Sequence, residues 1–208
     1  KPASKQARIA VAFGVVILAA LPAYDSQFLP VLATDIMIFC LFAASLHFLL
    51  GLGGLVSFGH AAYFGGGAYV AALLITHADT PMEIAFLLAP LGAGLAAIII
   101  GWVCLRLTGV YFAMLTLAFA QLLWSLVFQW GEFTGGDDGL VNIWPAVWLK
   151  GNASFFYLSL VLCVGGIILL RHFAHSPFGY ALRAARDSKR RAEATGINTR
   201  QVQLVAFG

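Results

Sequence analysis

Six long apolar runs constrain the fold of this chain more than any other feature. They cover residues 9–24, 28–50, 56–76, 82–105, 111–130 and 155–170. A helix needs about 20 apolar residues to cross a hydrocarbon core of about 30 Å. Only 10% of the 208 residues are charged, whereas soluble domains carry about 25%. The runs therefore predict an all-α, polytopic membrane helix bundle, and the composition excludes a soluble or nucleic-acid-binding protein.

The basic residues predict which ends of the runs face the cytoplasm. If all six runs cross the membrane, every lysine and arginine except Lys150 falls on one side. Cytoplasmic segments carry the excess of basic residues, so we expect a cytoplasmic N-terminus. Another apolar run begins at Val202. The prediction is therefore a single transmembrane domain over residues 1–208, with about six spans and the start of a seventh, truncated at its C-terminus.

The third run and its lead-in are unusually rich in small residues. Residues 51–74 read GLGGLVSFGHAAYFGGGAYVAALL, and small residues let membrane helices approach closely. Glycine clusters also interrupt helices where these line a cavity, so we expect a core helix beside a translocation path, bent near its triple glycine. The candidate path residues are Ser57, Gly59, His60, Gly65, Gly66 and Gly67.

Two other interpretations arise from ionisable residues within the runs. Ser57 and His60 stand three apart, on one face of a predicted helix, which raises an intramembrane serine protease; no nucleophile turn accompanies them. Asp35 and His47 lie within the second run, and membrane-embedded ionisable groups are functional candidates. Together with His60 they would serve a proton-coupled secondary transporter, and that transporter is the alternative function.

The outer loop contains a dense cluster of turn-forming residues. Its candidate residues are Thr134, Gly135, Gly136, Asp137 and Asp138. Glycine and aspartate at this density specify tight turns, and the spacing does not match a calcium loop. We expect a shaped turn at the mouth of the pore that contacts an external partner, with no metal ion.

The inner loop, residues 176–196, predicts one cytoplasmic helix of about 18 residues. Ser176 is a good N-cap, Pro177 suits the first helical position, and Gly196 suits a left-handed C-terminus. Along this helix runs a small-residue stripe, defined by Ala181, Ala185, Ser188, Ala192 and Thr195. Such a stripe favours docking into a groove on another protein, and anionic lipid binding is the alternative.

Three segments carry a family resemblance. They are the glycine-rich residues 51–74, the stretch RLTGVYFAMLTLAFAQLLWSLVF followed by FTGGDDGL, and residues 176–207, SPFGYALRAARDSKRRAEATGINTRQVQLVAF, which begin with the inner loop. These stretches resemble the permease subunits of ATP-binding-cassette importers for branched-chain amino acids. Two departures are His47, where the family is expected to have asparagine, and the loose spacing around Glu193.

The resemblance implies what the chain does and what it assembles with. It implies a bacterial inner-membrane transport subunit rather than an enzyme, with a second permease subunit, two nucleotide-binding subunits, a periplasmic substrate-binding protein and membrane lipid as partners. ATP-Mg would bind on the partner subunits, because this chain has no phosphate-binding G-x-x-x-x-G-K-[ST] loop and needs no cofactor of its own. The implied coupling residues are Ala181, Arg183, Ala185, Arg186, Asp187, Ser188, Ala192, Glu193 and Gly196.

Overall fold

The computed structural model describes residues 14, 18–23, 28–141, 143, 146, 149 and 151–208. More than half of the first apolar run, and Lys150, therefore lie outside the described residues. After a short 3-10 turn at Leu21–Ala23, the described helices are α1 Phe28–His47, α2 His60–His77, α3 Met82–Cys104, α4 Val110–Gln129, α5 Gly131–Thr134, α6 Asn152–Ala174, α7 Pro177–Asp187, α8 Lys189–Ala194 and α9 Thr199–Phe207. A π-helical turn, Phe48–Leu52, extends α1. The described part of the chain contains no β-strand.

Four of the described helices are long and apolar enough to cross a membrane. They are Phe28–Leu52, Met82–Cys104, Val110–Gln129 and Ala153–Ala174. Large apolar side chains such as Leu87, Val110 and Val161 lie on their exposed surfaces, as expected where lipid rather than water is the solvent. The prediction of an all-helical membrane protein is confirmed.

The third run differs from its prediction at its start. Helix α2 begins at His60 rather than near Val56, and residues 54–59, here called the unwound segment, are not helical. Gly54 has a left-handed φ of 65°, which ends the preceding helical turn. The triple glycine lies inside α2, which is helical throughout. The break expected at the triple glycine therefore occurs upstream of it.

The unwound segment is held by α4. The Phe58 N–H donates to Thr116 Oγ1 at 3.2 Å, and Thr116 Oγ1 itself donates to the Ala113 carbonyl at 2.8 Å. Thr116 is fully buried. Because a helix ladder no longer satisfies these backbone groups, the threonine hydroxyl supplies a bond that the segment would otherwise lack.

Gly59 makes the closest approach of the unwound segment to α4. A methyl group added at Gly59 would collide with the Thr116 carbonyl, a backbone atom that cannot turn aside. We therefore expect Gly59→Ala to destabilise the fold by about 1–3 kcal/mol, the usual cost of overpacking. A thermal melt of the purified protein would measure this, with Gly65→Ala as the control because no atom lies within 4 Å of a methyl group there. Equal melting temperatures for the two variants would contradict the contact.

The chain forms two compact units. The first contains residues 1–43 and 145–169, and the second residues 44–144 and 170–208. In the first unit α1 packs on α6 around buried side chains, namely Ala33, Met37, Phe156, Leu160 and Cys163. The Cys163 thiol donates to the Met37 carbonyl at 3.4 Å.

The core of the second unit lies where α3, α4 and α9 meet the π-helical turn that extends α1 and the start of the unwound segment. Its buried side chains are Leu49, Leu55, Ala97, Ile100, Cys104, Leu105, Phe112 and Phe207. Phe207 of α9 packs so closely on Gly101 of α3 that a methyl group at Gly101 would overlap its ring. Helix α2 lies along α3, where Gly92 makes room for Val70.

The predicted 18-residue cytoplasmic helix is two helices. Helix α7 ends at Asp187, and Ser188 is extended, with φ −162° and ψ 105°. The Ser188 hydroxyl accepts from the Arg191 N–H and caps α8. Serine favours caps over helix interiors because its side chain bonds the backbone locally, so the continuous helix was wrong at this residue. The predicted N-cap at Ser176 and the left-handed Gly196 are both confirmed.

Candidate functional site

A cavity of about 670 Å³ lies between α2 and α4. On α2, its wall consists of small residues and one tyrosine. These residues are spaced four apart in two neighbouring rows, so they lie on one face of the helix. That wall contains Ala61, Ala62, Gly65, Gly66 and Tyr69. The α4 wall contains Leu117, Ala120, Gln121, Leu123, Trp124, Val127 and Phe128, while Phe58, Gly136 and Asp137 complete the lining.

The walls of this cavity differ in size and chemistry. On α4 the Trp124 and Phe128 rings stack, with centroids 5.2 Å apart and planes at 20°. The missing side chains of Gly65 and Gly66 leave open space opposite α4, since no atom lies within 4 Å of a methyl group placed at either. Gln121 and Asp137 add polar groups to an otherwise apolar lining. This mixture suits a small molecule with an apolar body and a polar end.

The structure divides the predicted path residues. Gly65 and Gly66 line the cavity. Gly67 instead faces α3, where an added methyl group would lie 3.5 Å from Ala93 Cβ, and Gly59 packs on the Thr116 backbone. Ser57 lies in the unwound segment, is buried, and its hydroxyl has no hydrogen-bond partner among the described residues.

Ser57 and His60 do not share a helix face. Ser57 precedes α2, whereas His60 is its first residue. The His60 ring lies with Nε2 2.8 Å from Ser45 Oγ of α1. The serine protease hypothesis assumed that Ser57 and His60 lie on one face of a helix. They do not, because the chain is unwound between the two residues.

The residues of the proton-relay hypothesis lie far apart along α1. Asp35 and His47 are twelve residues apart on this helix, or about 18 Å at 1.5 Å per residue. Both are exposed. The His47 ring lies beside Gly51, at the π-helical turn. No single site contains both residues.

The outer turn is tightly built. Thr134 is buried and its hydroxyl donates to the Trp130 carbonyl at 2.8 Å. Gly135, Gly136 and Gly139 all have left-handed φ values, so the predicted tight turn is confirmed. Asp137 and Asp138 are exposed, and Asp137 lies at the edge of the cavity. Within the described residues no cluster of histidine, cysteine and carboxylate side chains could hold a metal ion.

Helix α7 contacts the start of the unwound segment directly. The Arg186 guanidinium donates to the Gly51 carbonyl and, at 2.8 and 2.9 Å, to Asp187 Oδ1. The aliphatic part of Arg186 lies against Gly54. Arg183 donates to the Ala174 carbonyl at 3.1 Å, at the end of α6. Residue 186 thus connects α7 to the turn that precedes α2.

The small-residue stripe is not a free surface along its length. Ala185 is 1% exposed and Ala192 is 3% exposed, so both pack against this chain. Ala185 also lines a second cavity of about 440 Å³, between α7, the start of the unwound segment and residues 105–109. The exposed positions of the inner loop include Asp187, Lys189, Arg190 and Glu193, which are charged, and Gly196.

Several residues of the site were not predicted. Thr116 and Gln121 are polar residues within an apolar run, and that contrast alone could have marked them as functional. Tyr69, Trp124 and Phe128 carry no comparable signal, because aromatic residues are common throughout these runs. The carbonyl of Gly51 cannot be found from side-chain patterns at all.

The family model and the curated relatives that match this chain carry the same description. A family model described as "Branched-chain amino acid transport system / permease component" matches residues 29–208. The high-affinity branched-chain amino acid transport system permease protein LivM of Escherichia coli (strain K12) is 28% identical over 203 residues, covering 85% of this chain and 48% of that protein. The protein of the same name from Salmonella typhimurium (strain LT2) is 27% identical over 204 residues, with the same coverage. This chain spans about half the length of these curated relatives. No solved structure matches it significantly.

Proposed function

The chain belongs to the family of branched-chain amino acid transport system permease components, and we propose that it forms part of the membrane path of an ATP-binding-cassette importer. A member of this family is a multi-pass transport subunit rather than an enzyme. The proposed partners are a second permease subunit, two nucleotide-binding subunits that hold ATP-Mg, and a periplasmic substrate-binding protein. The proposed cargo is a branched-chain or related small amino acid, carried across the bacterial inner membrane into the cytoplasm.

The observation that carries this proposal is the contact between Arg186 and the Gly51 carbonyl. It joins α7, in the inner loop, to the turn before the unwound segment. The unwound segment leads directly into α2, whose small-residue face lines the cavity. A displacement of the inner loop by nucleotide-binding subunits would therefore reach the cavity through bonded and packed groups rather than through lipid.

The cavity between α2 and α4 is the proposed substrate path. Its stacked aromatic rings suit an aliphatic side chain, and Gln121 and Asp137 suit the polar amino acid backbone. Of the predicted path residues, Gly65 and Gly66 belong to this surface. Ser57, Gly59, His60 and Gly67 lie off this surface: Gly59 packs on α4, His60 contacts Ser45 of α1, and Gly67 faces α3.

Uptake into vesicles tests the energy source. The complete transporter, reconstituted with its substrate-binding protein outside and ATP inside, should accumulate radiolabelled leucine. A protonophore should leave this uptake unchanged, because no proton gradient is used. Uptake that requires a proton gradient and proceeds without ATP would favour the secondary transporter and contradict the importer.

We propose six crossings in this part of the chain, with the basic residues on the cytoplasmic side. Single cysteines at Asp79 and Asp137, in a cysteine-free background, should react with an impermeant maleimide added to the periplasmic face. A cysteine at Ser188 should react only after the membrane is opened, since α7 and α8 carry the clustered arginines and cytoplasmic loops are basic. Labelling of the Ser188 cysteine from the periplasm would invert this topology.

A further inference from the structure

Two arginine side chains lie beside one exposed tryptophan near the C-terminal end of α3. The Arg106 guanidinium carbon lies 4.1 Å from the Trp102 ring centroid, and that of Arg200 lies 5.9 Å from it. Arg200 also donates to the Trp102 carbonyl at 3.3 Å. In the described part of the chain, neither guanidinium has a carboxylate within ion-pair distance. Both guanidinium groups thus lie beside the Trp102 ring without an internal anion among the described residues.

The position of Arg200 makes this arrangement costly without a ligand. Arg200 is the second residue of α9, where the positive end of the helix dipole disfavours a cation. The Glu193 carboxylate accepts from the Thr199 hydroxyl at 2.8 Å, and among the described residues it forms no ion pair with Arg200. An external anion between Arg106 and Arg200 would offset both the dipole and the mutual repulsion of the two cations.

An apolar track leads away from this pair along α3. Leu91, Leu95, Ile99 and Trp102 are 68%, 62%, 60% and 51% exposed, and their spacing of four, four and three places them on one helix face. We call these four residues the α3 track. From Leu91 to Trp102 it extends about 16 Å, close to half of a hydrocarbon core of about 30 Å. Its length therefore matches one leaflet, with the arginines at the headgroup level.

We propose that Arg106, Arg200 and Trp102 bind the phosphate of an anionic phospholipid whose acyl chain lies along the α3 track. The charge of the site selects an anion, and the adjoining track selects a ligand with an apolar chain. Tryptophan is characteristic of the membrane interface, and basic clusters at the cytoplasmic ends of spans bind acidic headgroups. This lipid site is not part of the proposed transport function. It rests only on the proposed membrane topology, which places Arg106 and Arg200 on the cytoplasmic side.

Photo-crosslinking in the complete transporter tests the site. The probes are phosphatidylglycerol and phosphatidylcholine that carry a diazirine on the acyl chain, and the readout is labelling of the α3 peptide by mass spectrometry. We expect selective labelling by phosphatidylglycerol. The double variant Arg106→Gln with Arg200→Gln should weaken apparent binding about 25-fold, since each basic residue near an anionic surface contributes roughly fivefold.

Two further variants separate the proposal from its rivals. Arg190→Gln with Arg191→Gln removes the same charge from exposed positions of α8 and should leave labelling unchanged. Arg106→Lys with Arg200→Lys keeps the charge and should retain most labelling, which controls for misfolding. Equal labelling by the two lipids, or an equal loss in both glutamine pairs, would overturn the proposal. So would loss of subunit assembly in the Arg106/Arg200 glutamine pair without any change in labelling, because the arginines would then serve a protein interface.

Discussion

Gly66→Leu should reduce ATP-driven amino acid uptake by about tenfold or more while leaving assembly normal. The leucine side chain would project into the cavity between α2 and α4, since no atom lies within 4 Å of a methyl group placed at this glycine. Obstruction that raises the barrier to passage by about 1.4 kcal/mol gives this factor. Vesicle uptake measures the effect, and co-purification with the partner subunits measures assembly.

Ala68→Leu is the matched control for the cavity. It adds bulk on an exposed position of the same helix, so it should neither fill the cavity nor slow uptake. Wild-type uptake by the Gly66 variant would remove the cavity from the substrate path. The small residues of the third run predicted close helix contacts, and the structure places them at Gly67 and at Gly92 of α3 rather than at Gly66.

Arg186→Gln should uncouple ATP hydrolysis from uptake. Glutamine is too short to reach both the Gly51 carbonyl and Asp187. Helix α7 would therefore lose its charged hydrogen bond to the π-helical turn that extends α1. Bonds of this kind contribute about 1.5–3 kcal/mol, which predicts a fall in uptake of roughly tenfold to a hundredfold. The ratio of amino acid transported to ATP hydrolysed, measured in the same vesicles, gives the coupling.

Lys189→Gln is the matched control for coupling. It removes the same charge from the neighbouring exposed surface of α8, where a solvated single charge contributes little. We expect its transport ratio to equal that of the wild type. If both variants lost coupling equally, the effect would come from the general charge of the inner loop, and the Arg186 contact would not be its cause.

Local rules predicted the start of α7 and the end of α8 well. Ser176 and Gly196 behave as their sequence positions indicate, because caps depend on only a few neighbouring residues. The break at Ser188 was missed because the small-residue stripe treated this serine as an interior residue. Because Ala185 of the stripe is buried, a bulky substitution there would disturb this chain's own packing and would not isolate a partner.

Contacts between distant residues account for the other differences. The third run reads as an uninterrupted span because its composition is apolar, and nothing near Phe58 in the sequence indicates Thr116 as its hydrogen-bond partner. His60 likewise finds Ser45 on the preceding helix. Gly65 and Gly66 line a cavity, since an open groove needs small side chains on one helix face, and the translocation path expected at these glycines stays a prediction. Which of the glycines face it depends on tertiary packing.

The unwound segment should be locally less stable than the helices on either side of it. The Gly54 and Leu55 N–H groups donate to the Leu50 and Leu49 carbonyls, and the Phe58 N–H donates to Thr116, where a helix would have a continuous ladder. Regions with so few backbone hydrogen bonds open at a much lower free energy than the global unfolding reaction. Its amide protons should therefore exchange with deuterium well before those of α2 or α4. Each transport cycle would then repack a few residues at this point and leave the neighbouring helices folded.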